Sequence, residues 1–161
     1  MKEILLPNGL ITIVDDDDYE YLSLKKWNCD HLNYVRRIER INGKRKAVFM
    51  HRIINHTPDG FQTDHINNNP LDNRKENLRT ATSEQNKYNK GKYKKRKTDS
   101  NYKGVILDEK TQKYVAYIQK DKKRKSIGYY KTEEEAALAY NEYAILLFGE
   151  FANLNEVARY E

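Results

Sequence analysis

Cysteine is almost missing from this 161-residue chain. Cys29 stands alone, which excludes an intramolecular disulfide and any zinc site built on several thiolates. Long apolar runs are missing as well. Nothing approaches the ~20 residues a membrane-spanning helix needs, and the N-terminal MKEILLPNGL lacks the apolar stretch of a secretory signal. Hydrophobic residues make up 38% of the chain against 34% charged, so the core is expected to be modest and divided, in one domain or two small ones. The expectation is a soluble, intracellular protein with no membrane partner.

What the chain has in excess is positive charge, unevenly placed. Net charge is +6 with a pI near 9.2, and from Lys87 to Lys125 fifteen Lys/Arg stand against four Asp/Glu, a local balance of +11. The remainder is therefore near −5. A basic block of this kind suits phosphate contacts, whose strength falls steeply with salt. A solvated lysine-rich linker would carry the same charge.

Three segments follow one another. Residues 1–50 read as short strands and one helical patch: EILLPNGLITIV is strand, turn and strand. DDDDYEYLSLKKW opens a helix whose four acids favour the dipole and solvent over a metal cluster at Asp15 to Asp18. NYVRRIERINGKRKAVFMHRII is a hairpin about Asn42-Gly43. Residues 91–100, GKYKKRKTDS, form a linker whose Lys94, Lys95, Arg96 and Lys97 track a DNA backbone or act as a nuclear signal; we favour the first. Residues 101–155 predict three strands and a helix. Thr132 is the expected N-cap, with Glu135 completing a capping box. Ala136, Tyr140, Tyr143 or Ala144, and Leu147 share the helix's apolar face, and Gly149 ends it. On the second strand Tyr114, Ala116 and Ile118 face the helix, while Val115, Tyr117 and Gln119 face outward, flanked by Lys103, Lys113, Lys120 and Arg124.

The stretch TDHINNNPLDNRKENLR, Thr63 to Arg79, sets an acid and a histidine side by side among five asparagines. Hydrolysing a DNA phosphodiester requires a base near neutral pH, which an imidazole is, and a cation among oxygen donors. Asp64 and His65 supply a carboxylate and an imidazole. Strand neighbours point to opposite faces, so the strand is expected to be distorted or to end there. Asn77, twelve residues on, is placed to return opposite His65 and fix its ring without raising its basicity. Asn86, in TSEQNKYN, is placed to bring a second metal ligand from a helix. Arg74 and Arg79 either clamp the phosphate or brace the loop. His51 and His56 read as structural or phosphate-contacting, and His31 as exposed.

Two resemblances bear on these readings. The span YKGVILDEKTQKYVAYIQKDKKRKSIGYYKTEEEAALAYNEYAILLFGEFANLN resembles the AP2 DNA-binding domain, which implies a three-stranded sheet entering the major groove. By position, that likeness puts Lys103, Tyr117, Gln119, Arg124 and Ser126 on the DNA face. Ile106, Tyr114, Gln119 and Ser126 depart from the plant members, so their target sequence does not transfer. The stretch from MHRII through DHINNNPLDNRKENLRTATSEQN resembles the HNH endonucleases and their ββα-metal fold. VDDDDYEYLSLKKW is similar to the start of phage-type HNH homing endonucleases that carry an AP2 domain. The likeness implies His65 as general base, Asp64 and Asn86 as metal ligands, and Asn77 as the residue orienting His65; the family's final His is Asn86 here.

The expected fold is α+β: a β-rich part (1–50) leading into a ββα-metal core (51–90), the linker, and an AP2-like sheet on one helix (101–155). The expected function is a homing-type, metal-dependent endonuclease cutting double-stranded DNA with one divalent cation, Mg²⁺ or alternatively Mn²⁺. Its target would be chosen partly by the AP2 sheet. It would act as a monomer or a DNA-assembled dimer, in the cytoplasm and at the nucleoid of a bacterial or phage-infected cell. A non-catalytic DNA-binding regulator and an RNA-binding accessory protein are the competing readings.

Overall fold

In the computed structural model residues 1–92 and 100–158 are described, so Lys94, Lys95, Arg96 and Lys97 lie outside the described residues. The chain forms two compact units, Met1–Lys87 and Tyr88–Glu161. Among the described residues there are four small antiparallel sheets and four α-helices. No helix among the described residues is long and apolar enough to cross a membrane.

The first unit opens with strands β1 (Lys2–Leu5) and β2 (Ile11–Val14), joined through the Pro7-Asn8-Gly9 turn. Gly9 has φ +82° there, and its N–H donates to Leu6 O at 2.9 Å. Alternation along β2 buries Thr12 and Val14. Helix α1 (Asp16–Ser23) carries Asp16, Asp17 and Asp18 in its first turn, where the backbone dipole favours anions. Strands β3 (Asn28–Cys29), β4 (Val35–Ile41) and β5 (Lys44–Phe49) form a second sheet in that order. Asn42 and Gly43 both have positive φ, which the tight β4–β5 turn requires.

The expected hairpin run extends too far in one respect. MHRII, read with the strand, is helix α2 (Met50–Ile54). Met50 and Ile54, one helical turn apart, are both buried, whereas a strand would also have placed them on one face; the five-residue run is too short for periodicity to decide. Strands β6 (Gln62–His65) and β7 (Leu78–Ala81) pair antiparallel, with Asp64 opposite Arg79 and His65 opposite Leu78, and α3 (Ser83–Asn89) follows. Leu6, Val14, Leu22, Trp27, Val35, Met50, Ile54 and Leu78 make one core, so the N-terminal hairpin and the later β6–β7 pair are stabilised together. Each such side chain contributes roughly 1.5–3 kcal/mol on burial.

The second unit has strands β8 (Val105–Asp108), β9 (Lys113–Lys120) and β10 (Lys123–Tyr130), with β9 central, and helix α4 (Glu133–Phe148) across them. Thr132 and Glu135 form the reciprocal capping box, as expected. Tyr114, Ala116 and Ile118 do pack toward the helix. On α4 the buried stripe is Ala136, Ala137, Tyr140, Ala144 and Phe148. Leu147 is 39% exposed, because residue 148 lies four places beyond Ala144 and residue 147 is rotated away from that line. The pairing register shifts between Ser126 and Gly128, so Ile127 is the extra residue of a bulge and reaches the core. Gly104, at φ +73°, lies so close to the Tyr140 ring that an added Cβ would sit 2.1 Å from it.

Candidate active site and nucleic-acid interface

Strand β6 ends at His65, as expected, with Asp64 paired opposite Arg79 and His65 opposite Leu78. Asn68, at φ +59°, turns the chain back and its N–H donates to His65 O at 2.9 Å. The asparagines then hold the loop by bonding its own backbone. Asn67 Oδ1 accepts from Asn69 N at 2.8 Å, and Asn69 Oδ1 from Leu71 N at 3.1 Å. Asn77 Oδ1 accepts from Asn67 N at 3.0 Å, and its Nδ2 donates to Asp72 O at 2.8 Å.

That last arrangement differs from the role expected of Asn77. Its carboxamide ties the two ends of the loop together and bonds no atom of the His65 ring. The carboxamide against the imidazole is that of Asn73, whose Oδ1 lies 3.1 Å from His65 Nε2. Both residues are buried, Asn73 completely. The reason lies in the register: His65 stands opposite Leu78, and Asn77 is already the last residue of the loop's closing turn.

Burial is the main influence on His65 and pushes its imidazole below the usual value. The Asn73 bond and the carboxylates of Asp64 and Asp72 oppose that shift. His51 stacks edge-on at 5.2 Å between ring centroids, and burial followed by the nearby His65 pushes it down to about 3. Tyr34 lies against both rings.

Asp64, 4% exposed, meets Arg79 through Nε at 2.8 Å and Nη2 at 2.7 Å. Arg74 forks onto Asp72 with two bonds of 2.8 Å and also meets Glu76. Its guanidinium lowers the Asp72 carboxyl. Both guanidiniums are thus paired with carboxylates in this structure. Asn86 Nδ2 donates to Gln62 Oε1 at 2.6 Å. Gln62 and Asp64, two apart on β6, share a strand face.

The donor chemistry suits a hard divalent cation. Asp64 offers carboxylate oxygen, and Asn86, with its NH₂ turned to Gln62, has an amide oxygen as its remaining polar atom. No group of three or more His, Cys, Asp or Glu gathers among the described residues.

In the second unit, register brings four expected residues together. Tyr117 pairs with Ser126 and Gln119 with Arg124, placing all four on the sheet face away from α4. The Arg124 guanidinium lies 3.4 Å above the Tyr117 ring centroid. Lys103 is different: its ammonium donates to Tyr88 O at 2.6 Å and Lys90 O at 2.7 Å, and burial lowers it to about 8. Its charge is turned into the protein, so the DNA-face position inferred by resemblance does not describe it.

Sequence reasoning missed two features. The contact of Asn73 is not legible, because nothing in DNR distinguishes a turn asparagine from one bonded to an imidazole. The hairpin about Asn42-Gly43 is legible in sequence, but its concentrated charge is masked in the total. Residues 35–49 hold six Lys/Arg and one Glu, a balance of +5, and Arg40 lies directly opposite Arg45. Like charges facing across a ladder repel; the run RRIERINGKRK was the available signal.

The HNH endonuclease family matches residues 55–88 and the AP2 domain family residues 100–150. An uncharacterized HNH endonuclease of Acanthamoeba polyphaga mimivirus is 34% identical over 151 residues, covering 92% of this chain and 76% of that protein. No solved structure matches the chain significantly. A buried imidazole beside a carboxylate at a strand end, in a ββα unit followed by a sheet-and-helix module, thus coincides with both matches: the chain belongs to the HNH endonucleases, enzymes that cut DNA, and carries an AP2 domain behind the nuclease.

Proposed function

We propose that this enzyme is a homing-type, metal-dependent nuclease that hydrolyses phosphodiester bonds of double-stranded DNA with His65 as general base. The observation that carries the reading is the buried His65 ring, held by a carboxamide and adjacent in the strand to the Asp64 carboxylate. The imidazole accepts the proton of the attacking water. Asp64 and Asn86 would hold one divalent cation, most simply Mg²⁺ with Mn²⁺ as a substitute. When bound, that cation supplies Lewis-acid stabilisation of charge on the phosphoryl and leaving oxygens. Arg79 compensates the Asp64 charge in the structure, and a cation held by Asp64 would share that carboxylate with the guanidinium.

Target choice is divided. The outer face of the AP2 sheet, with Tyr117, Gln119, Arg124 and Ser126, reads base edges, while the β4–β5 hairpin meets phosphates and relieves its own Arg40–Arg45 repulsion. A single site cuts one strand at a time, so a double-strand break takes a dimer assembled on DNA or a second visit. Incubating supercoiled plasmid with Mg²⁺ or Mn²⁺, with and without EDTA, tests the reading. Metal-dependent conversion to the nicked form is expected, and intact plasmid under every metal condition would overturn it.

A further inference from the structure

The N-terminal hairpin reaches the catalytic base. Strand β2 runs alongside the asparagine loop: Ile13 N donates to Leu71 O at 2.9 Å, and Asn73 N donates to Ile13 O at 2.9 Å. Between them, the Thr12 hydroxyl donates to Leu71 O at 2.7 Å. Asn73 Nδ2 in turn lies 2.9 Å from Thr12 Oγ1 and 3.3 Å from Pro70 O. Thr12 and Asn73 are both completely buried, so neither can exchange these partners for water.

The direction of every bond in this chain follows from two atoms that can only accept. Leu71 O is a carbonyl, so the Thr12 hydroxyl must give it its proton. With its one hydrogen committed there, Thr12 Oγ1 faces Asn73 as an acceptor. Pro70 O, also a carbonyl, faces the same end of the Asn73 amide. Both neighbours therefore demand the NH₂ of Asn73 on their side, which fixes Oδ1 on the side of His65. An oxygen with no hydrogen then meets Nε2, so Nε2 must carry the proton and, in the neutral ring, Nδ1 must carry the lone pair.

We propose that Thr12 and Asn73 are positioning residues that set the tautomer of His65, so that a hydroxyl on the N-terminal hairpin determines which imidazole nitrogen acts as the base. This rests on the reading of His65 as the base. Without the Thr12 hydroxyl, one of the two contacts holding the Asn73 amide is lost. A rotated amide would present NH₂ to Nε2 and drive the proton to Nδ1, leaving the base on the wrong nitrogen. Wrong-tautomer and lost-orientation effects elsewhere reduce rate far more than binding.

The test uses the full chain and supercoiled plasmid with Mg²⁺ or Mn²⁺ as the probe. Thr12→Val removes the hydroxyl at nearly constant volume, and Thr12→Ser keeps it. Single-turnover nicking by Thr12→Val is expected to fall about tenfold to a hundredfold. Duplex binding in EDTA should stay within about twofold, and Thr12→Ser should recover most of the rate. In parallel, ¹⁵N spectra of histidine-labelled protein, with His65 assigned by His65→Gln, should show the Nε2–H form in wild type and a shift toward Nδ1–H in Thr12→Val. Wild type in the Nδ1–H form would overturn the proposal. So would Thr12→Val with wild-type rate and tautomer, or Thr12→Val and Thr12→Ser losing rate equally. The spectra need no cleavage, so a wild type that cuts nothing would count against the nuclease reading while the tautomer still decides this one.

Discussion

Asp64 and Arg79 face each other across the β6–β7 ladder and are joined by two nitrogen–oxygen contacts of 2.8 and 2.7 Å. A carboxylate this deeply buried is tolerated because the guanidinium is already beside it. The pairing keeps a negative charge ready at the strand end without requiring a cation for the unit to fold. Removing metal with EDTA should therefore abolish nicking while the thermal transition of the first unit moves by no more than a few degrees. Collapse of the fold on chelation, followed by calorimetry, would show the opposite dependence. Arg79→Ala should lower stability by about 3–5 kcal/mol, because the buried Asp64 carboxylate loses the guanidinium beside it.

His65→Ala should reduce metal-dependent cleavage by roughly 10²–10⁴-fold, the range for loss of a general base. Duplex affinity measured without metal should remain close to wild type. Parallel loss of affinity and of the folded signal would mean that His65 maintains the loop and does not act on water.

The two buried histidines make the first unit sensitive to acid. Both have folded-state values below their unfolded ones, with His51 moved from 6.5 to about 3. The unfolded chain then binds more protons between those limits. Stability is fully present above about pH 6.5 and declines as pH falls toward 3, at up to about 1.4 kcal/mol per pH unit for His51 alone. Urea midpoints at pH 7, 5.5 and 4.5 should fall in that order. His51→Gln should flatten the dependence.

Two basic residues of the second unit should behave differently. Arg124→Ala is expected to weaken duplex binding and reduce the slope of log affinity against log salt by about one ion. Lys103→Met, whose ammonium is bonded to carbonyls, should instead lower the melting temperature and leave the salt slope alone. Equal slopes for both variants would undo the distinction.

Gly104→Ala should destabilise the second unit by roughly 1–3 kcal/mol, since it adds a Cβ against Tyr140 at a positive φ. Differential scanning calorimetry would register this in the transition of that unit. Plasmid nicking per folded molecule should change little.

Much of the fold could be read from residues whose local preference and burial agree. The Thr132–Glu135 cap, the Asn42-Gly43 turn and the Tyr114, Ala116, Ile118 alternation each needed only neighbours in sequence. Helix α2 was not legible, because five residues carry too little periodicity to separate helix from strand. In the site, the Asp64-His65 pair and the return of the chain opposite it followed from strand and loop lengths. The assignment of Asn73 rather than Asn77 to the ring did not. It depends on contacts between residues 61 positions apart, Thr12 and Asn73, which no local pattern encodes. Lys103 failed for the opposite reason: a lysine looks solvent-facing in sequence, and only the placement of two carbonyls turns it inward.

The match to the nuclease family begins at residue 55, yet strand β2 contributes Val14 to the shared core and two backbone bonds to the asparagine loop. A fragment cut to the matched span would keep every residue of the motif and lose the wall against which that motif is built. The first hairpin thus belongs to the same packed body as the signature that follows it.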